Sequence, residues 1–160
     1  NNKPSAIRYP RDFAYEYNNN NNFQKILIGK GKILKKGKKI AFLNLGTRLK
    51  KVLEINEMIK NHHKLNCTVV DMRFAKPIDA KLIQNLNKTH DIFITIEENA
   101  IGGFSSQVND LLINKLNKTP KILNFFMKDE FIDQSDIDDQ YIKSGISKEL
   151  IFDKISTLLK

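Results

Sequence analysis

Two kinds of hydrophobic block alternate along this chain. Four apolar runs of strand length stand at Ile40 to Leu45, Cys67 to Met72, Ile92 to Ile96 and Lys121 to Phe126. Between them apolar residues recur at helical spacing. Leu49, Val52, Leu53 and Ile59 mark one helix face, Leu82, Ile83 and Leu86 a second, and Val108, Leu111, Leu112 and Leu116 a third. Ile151, Ile155, Leu158 and Leu159 mark a last. Ahead of them Lys32 to Lys36 reads as a short edge strand protected by lysines, and Gly37 turns the chain into the next strand. The order β-β-α-β-α-β-α-β-α predicts an α/β fold: a five-stranded, mostly parallel sheet with one antiparallel edge strand and helices on both faces. Asp129 to Gly145 reads as an acidic, irregular connection.

Punctuation agrees with the pattern. Thr47, Asp79, Ser105 or Ser106, and Ser147 stand where helix N-caps are expected. The densest stretch is Asp91 to Ser106, a strand, a glycine turn and a helix, which puts Glu97 and Glu98 at the carboxyl end of the sheet, where ligands bind in open α/β folds. Neighbouring strand residues point to opposite faces, so this pair cannot jointly address one substrate. Gly102-Gly103 lacks dinucleotide spacing, and Gly29-Lys-Gly31 lacks the frame of a phosphate loop. His62 and His63 are adjacent on a helix and make poor joint metal ligands; a favourable helix C-terminal position fits them better.

Composition narrows the function classes. The 160 residues suit one domain, 41% are hydrophobic, and no apolar run approaches the roughly 20 residues of a membrane span. A single cysteine, Cys67, excludes an internal disulfide framework and reads as a small core residue. The net charge of +9 is spread widely, without the interleaved aromatics of a nucleic-acid surface, and is attributed to the Asn-, Ile- and Lys-rich bias of an AT-rich genome. Neither nucleic acid nor membrane is an expected partner. The run of five asparagines from Asn18 to Asn22 reads as a disordered loop tip. Arg8 and Arg11 flank Tyr9-Pro10, whose proline holds the segment extended. No targeting segment is visible, and Asn1 is not a natural start, so a longer parent protein is expected.

Five motifs fall in the order and spacing of one family: Arg8-Tyr-Pro-Arg11, Ile28-Gly-Lys-Gly31, Leu43-Asn-Leu-Gly-Thr47, Val69 to Asp79 and Thr95 to Phe104. From about Pro4 to Leu159 the chain resembles the C-terminal part of the 1-deoxy-D-xylulose-5-phosphate synthases. It departs from the family pattern at Asp12, Ser105 and Gln134-Ser135, and in the asparagine run.

The resemblance implies a thiamine diphosphate- and Mg²⁺-dependent transferase that condenses pyruvate with glyceraldehyde 3-phosphate, with loss of CO₂, for isoprenoid precursor and thiamine synthesis. It divides the chain into a tail of the thiamine-pyrimidine-binding domain at 1–17, an asparagine-rich loop at 18–24 and a transketolase C-terminal domain at 25–160. Arg11 is expected to bind the aldehyde's phosphate, with Arg8 a weaker candidate; a planar, permanently charged fork suits that group. No catalytic, cofactor-binding or metal-binding residue is expected here, because cofactor and metal would sit outside this segment. Expected partners are the N-terminal domains of the same protein and a second copy of it in a homodimer. Family and composition together suggest an apicoplast-like plastid. The isolated piece is expected to be inactive. The alternatives are a stand-alone binding or regulatory module of transketolase C-terminal type, or the same domain from another thiamine diphosphate enzyme.

Overall fold

The structure is a computed structural model describing residues 4–7, 9 and 25–160. Arg8, Arg11 and the asparagine run lie outside the described residues. The strands are β1 (Lys32–Lys35), β2 (Lys39–Asn44), β3 (Thr68–Asp71), β4 (His90–Ile96) and β5 (Lys121–Phe125). The helices are α1 (Leu49–His63), α2 (Ala80–Asn87), α3 (Phe104–Asn114), α4 (Ile137–Lys143) and α5 (Lys148–Leu159). They build one five-stranded sheet in the order β1-β3-β2-β4-β5. β1 runs antiparallel to β3 at one edge, and the other pairings are parallel. The expected architecture is present.

Strand alternation sorts the core. Ile40, Phe42, Ile92 and Ile94 face Val52, Ile55 and Ile59 of α1 and Ile151 and Ile155 of α5. Ala41, Leu43 and Phe93 face Ile83 and Leu86 of α2 and Val108 and Leu112 of α3. Both faces of the central strands are dry, which explains why they read as continuous apolar runs rather than alternating ones.

Three expectations change. The acidic connection from Asp129 to Gly145 contains α4, capped by the Asp136 carboxylate on the Asp139 N–H. This seven-residue helix buries none of its residues, so it leaves no apolar period to read. Thr47 does not cap α1; Arg48 occupies that position without a side-chain cap bond. Neither Ser105 nor Ser106 caps α3, whose N-cap is Gly103. Asp79 and Ser147 do cap their helices, accepting from Leu82 N–H and Leu150 N–H.

Candidate functional site

The carboxyl ends of the parallel strands carry three polar constructions. The first follows β4. Glu97 is fully buried, and its two oxygens accept the N–H groups of Phe104 and Ser105, each at 2.7 Å. A carboxylate seven residues upstream thus does the work expected of a serine cap, favoured by the positive end of the helix dipole. Asn99 Nδ2 donates to the same group at 3.2 Å. A Cβ on Gly103 would run into Glu97 Oε2, so the glycine is the space the carboxylate occupies. Ser105 sits 2% exposed in the first turn of α3.

The second construction lies on the other face, as strand alternation requires. Glu98 Oε1 accepts from the hydroxyls of Thr47 and Tyr141. Burial, and then the Glu98 carboxylate, hold the Tyr141 phenol above its ordinary pKa. The Arg48 guanidinium lies 3.6 Å from the centre of the Tyr141 ring and donates to Ile146 C=O at 3.0 Å. These contacts fasten α4 across the start of α1. An open hollow of about 430 Å³ lies beside Glu98, floored by Ala100, Met127, Phe131 and Ile132. Asp129, Glu130 and Lys128 also line it, the lysine facing Glu130 at 3.4 Å, so the acidic side chains outnumber the cation. A cleft of about 200 Å³ beside Arg48 contains Lys51 and Lys148, but these already face Asp138 at 3.8 Å and Glu54 at 3.1 Å.

The third construction follows β3. Phe74 N–H closes on Met72 C=O at 2.6 Å, making a three-residue turn with Arg73 at its centre, at φ +60°. A positive φ at the centre of such a turn is its rare and strained form. Asp71 holds the arginine twice, at 3.2 Å from the Arg73 N–H and 3.4 Å from its Nε. Both side chains remain partly exposed, at 29% for Arg73 and 26% for Asp71. The loop returns to α2 through a cis Lys76–Pro77 bond and Asp79. Asp79 also accepts from Gly31 N–H at 3.2 Å and faces Lys30 Nζ at 3.5 Å. Gly29 lies against Pro77, where a Cβ would come within 2.9 Å of the proline ring. The segment 29–31 is therefore seated on the arginine loop.

Arg73 is not singled out by the sequence reading, although it stands in the Val69 to Asp79 motif. Its signal, a cation immediately after a buried strand, is weak without the backbone angle. Arg8 and Arg11 lie outside the described residues. Glu97 and Glu98 point to opposite faces, as alternation predicts, and each is engaged in holding a helix. Cys67 is buried, and burial pushes its thiol up to about 12, which leaves no thiolate for catalysis at neutral pH. His63 bonds Ser156 Oγ at 2.9 Å, and the His62 ring lies tilted against Phe152. Among the described residues no group of three or more His, Cys, Asp or Glu side chains could hold a metal ion, and no helix is long and apolar enough to cross a membrane.

Comparison with known proteins adds a lineage to this geometry. The sequence profile described as "Transketolase, C-terminal domain" matches residues 29–151. Curated relatives include 1-deoxy-D-xylulose-5-phosphate synthases from Psychromonas ingrahamii, 40% identical over 94% of this chain, and Haemophilus influenzae strain Rd, 42% identical over 96%. The chain spans about a quarter of their length, 24% and 23% respectively. Among solved structures, a split-gene transketolase described as an inactive β4 tetramer superposes with a TM-score of 0.76 at 27% identity, covering 85% of this chain and 44% of that one. A Pichia stipitis transketolase, 8% identical with a TM-score of 0.53 over 82% of this chain and 18% of that one, shares the fold alone.

Proposed function

The chain belongs to the family of transketolase C-terminal domains, and from that premise we propose that it is the C-terminal segment of a 1-deoxy-D-xylulose-5-phosphate synthase. The observation that carries this reading is the 40–42% identity to such enzymes over 94–96% of the chain, which extends well ahead of residue 29 into the Arg-Tyr-Pro-Arg stretch. The parent transfers a two-carbon unit from pyruvate to glyceraldehyde 3-phosphate with loss of CO₂. Thiamine diphosphate supplies the electron sink for that chemistry, and the protein supplies orientation and charge. Our reading gives the metal and the cofactor to the other domains of the parent.

This segment's share is to grip the aldehyde's phosphate. Arg11 is one anchor. Arg73, in the loop after β3 and paired with Asp71, is a second candidate. In the full-length enzyme Arg11→Ala should raise KM for glyceraldehyde 3-phosphate on the order of 30- to 1000-fold, the equivalent of roughly 2–4 kcal/mol. KM for pyruvate should hardly move, Arg11→Lys should recover only part, and Arg8→Ala should cost several-fold at most. Arg73→Ala should show the same preference for the aldehyde. Equal weakening of both substrates would return these residues to a structural role.

The isolated chain should neither bind thiamine diphosphate nor decarboxylate pyruvate; micromolar cofactor binding by calorimetry would contradict this. The β4 assembly described as inactive for the split-gene relative supports that expectation, and it also supports a second reading in which the domain is supplied as a separate subunit. Whether full activity requires an added partner chain separates the two. Family and composition support a homodimeric parent in an apicoplast-like plastid. Sedimentation of the full-length protein tests the first, and a tagged protein found in the cytosol would refute the second.

A further inference from the structure

We propose that the carboxyl rim of the sheet is the surface on which the preceding domains of the same polypeptide dock, with the hollow beside Glu98 as the socket for their apolar side chains. This rests on the reading of the chain as the C-terminal segment of a longer parent. The observation is where the exposed apolar side chains lie. A single exposed Ile or Phe means little, because much of any protein surface is apolar; a collection on one face marks an interface. Lys32, the first residue of β1, pairs with Asp71, the last of β3, so the exposed Ile26, Leu27 and Ile28 stand at the carboxyl end of the sheet. Exposed Ile101 lies in the turn from β4 to α3, and Phe131, wholly exposed, in the loop after β5. Ile137 and Ile142 are on α4, which the Tyr141 hydroxyl ties to Glu98 at the same end. From Lys25 onward, the only large hydrophobic side chain exposed elsewhere among the described residues is Ile113, in the last turn of α3 at the amino end.

The path of the chain names the occupant. The sequence spans about a quarter of the length of its curated relatives, so on this reading the larger part of the parent lies ahead of it. The segment through which that part enters is seated on the rim itself: Gly29 lies against Pro77, and Gly31 N–H donates to Asp79. What precedes it therefore emerges beside the exposed side chains. A tethered partner is present at high effective concentration, so an apolar surface too modest to hold a free protein is enough to hold it. Charge sets the orientation. Lys25 and Lys30 flank Ile26 to Ile28, whereas Asp129 to Asp139 carries six carboxylates and no lysine or arginine. The docking surface is expected to be apolar, with basic side chains over the hollow and acidic ones over the Lys25 end.

The test uses the full-length protein in its native state. Phe131→Cys and Ile101→Cys should be alkylated by iodoacetamide about tenfold more slowly than Ile113→Cys, and all three should react alike in urea. Cys67 is buried in the core and stays silent until unfolding. Rates at Phe131→Cys and Ile101→Cys that match Ile113→Cys overturn the proposal. The unsubstituted protein supplies a second measurement, which stands if a cysteine variant does not fold. A carbodiimide, which joins carboxylates to lysines in contact with them, should link Asp129 or Glu130 to a lysine of the preceding domains, in a product of single-chain mass. Links from these carboxylates only to lysines of this domain, such as Lys128, overturn the docking. A link to the preceding domains found only at two-chain mass overturns the occupant, since the rim then serves a second copy. A full-length polypeptide with no domain ahead of this one overturns the reading of the parent, whatever the alkylation rates, and the occupant falls with it.

Discussion

The loops after β3 and β4 begin alike and end differently. Each leaves a buried strand on a carboxylate, and each runs into a helix on the same face of the sheet. After β4 the carboxylate is wholly buried and both its oxygens are taken by the N-terminus of α3. After β3 the carboxylate is partly exposed and holds an arginine in a left-handed turn facing solvent. The first arrangement satisfies a charge completely and leaves nothing for a ligand. The second leaves a paired cation partly exposed on a strained turn. A carboxylate at the ligand-binding edge is thus not itself the signal; what its oxygens hold is.

The largest expected effect breaks the β4 side. Glu97→Ala leaves two buried N–H groups without an acceptor and should cost about 3 kcal/mol, read from urea unfolding of the domain. Glu97→Gln should recover only part of it, because each oxygen of the carboxylate accepts a separate N–H. The amide NH₂ would have to oppose one of those donors. Loss below about 1 kcal/mol would mean that water reaches the start of α3.

The next effect tests whether strain alone marks a site. Lys39 sits in the same kind of turn, at φ 65° with Ile40 N–H on Lys38 C=O at 2.7 Å, but at the amino end of β2. Glycine at either position relieves the left-handed angle, offset by greater freedom of the unfolded chain. Both Lys39→Gly and Arg73→Gly should therefore hold or raise domain stability, by up to about 1 kcal/mol. Only Arg73→Gly should damage aldehyde binding in the full-length enzyme. If Lys39→Gly damages it equally, the contrast between the two sheet edges is void.

The same residues show what the sequence discloses. Ile40 to Leu45 and Ile92 to Ile96 announce strands because burial on both faces leaves a run that is apolar but for Asn44 and Thr95. Asp79 and Ser147 announce caps because each acts on a donor three residues ahead. Glu97 gave no such notice: its donors lie seven and eight residues on, across a turn whose path is not written locally. Thr47 looked like a cap, yet its hydroxyl turns to Glu98, 51 residues away in sequence. Alternation did foretell that Glu97 and Glu98 part company. Nothing in residue types foretold the Arg73 turn, because a positive φ at arginine is imposed by its tether rather than by its own propensity.

Glu54 supplies the far end of the scale, a partly exposed carboxylate held by one partly exposed lysine. It lies 3.1 Å from Lys148, joining α1 to α5. The hydrogen bond from Lys148 holds its carboxyl below the ordinary value, and the same bond, reciprocally, holds the lysine above its own. The signs set the window. A depressed carboxylate contributes stability above its unfolded pKa and loses it as pH falls through the folded value; a raised lysine contributes below its unfolded pKa and loses it as pH rises through the folded one. The pair should therefore contribute evenly across the neutral range and fade at both acidic and strongly alkaline pH. Solvent screens it, so Glu54→Gln should cost no more than about 0.5 kcal/mol at neutral pH, and less in 1 M salt. In a Lys148→Met background it should cost nothing further. A loss approaching that of Glu97→Ala would mean that burial is not what separates the carboxylates of this domain, and the contrast between the two loops would need another cause.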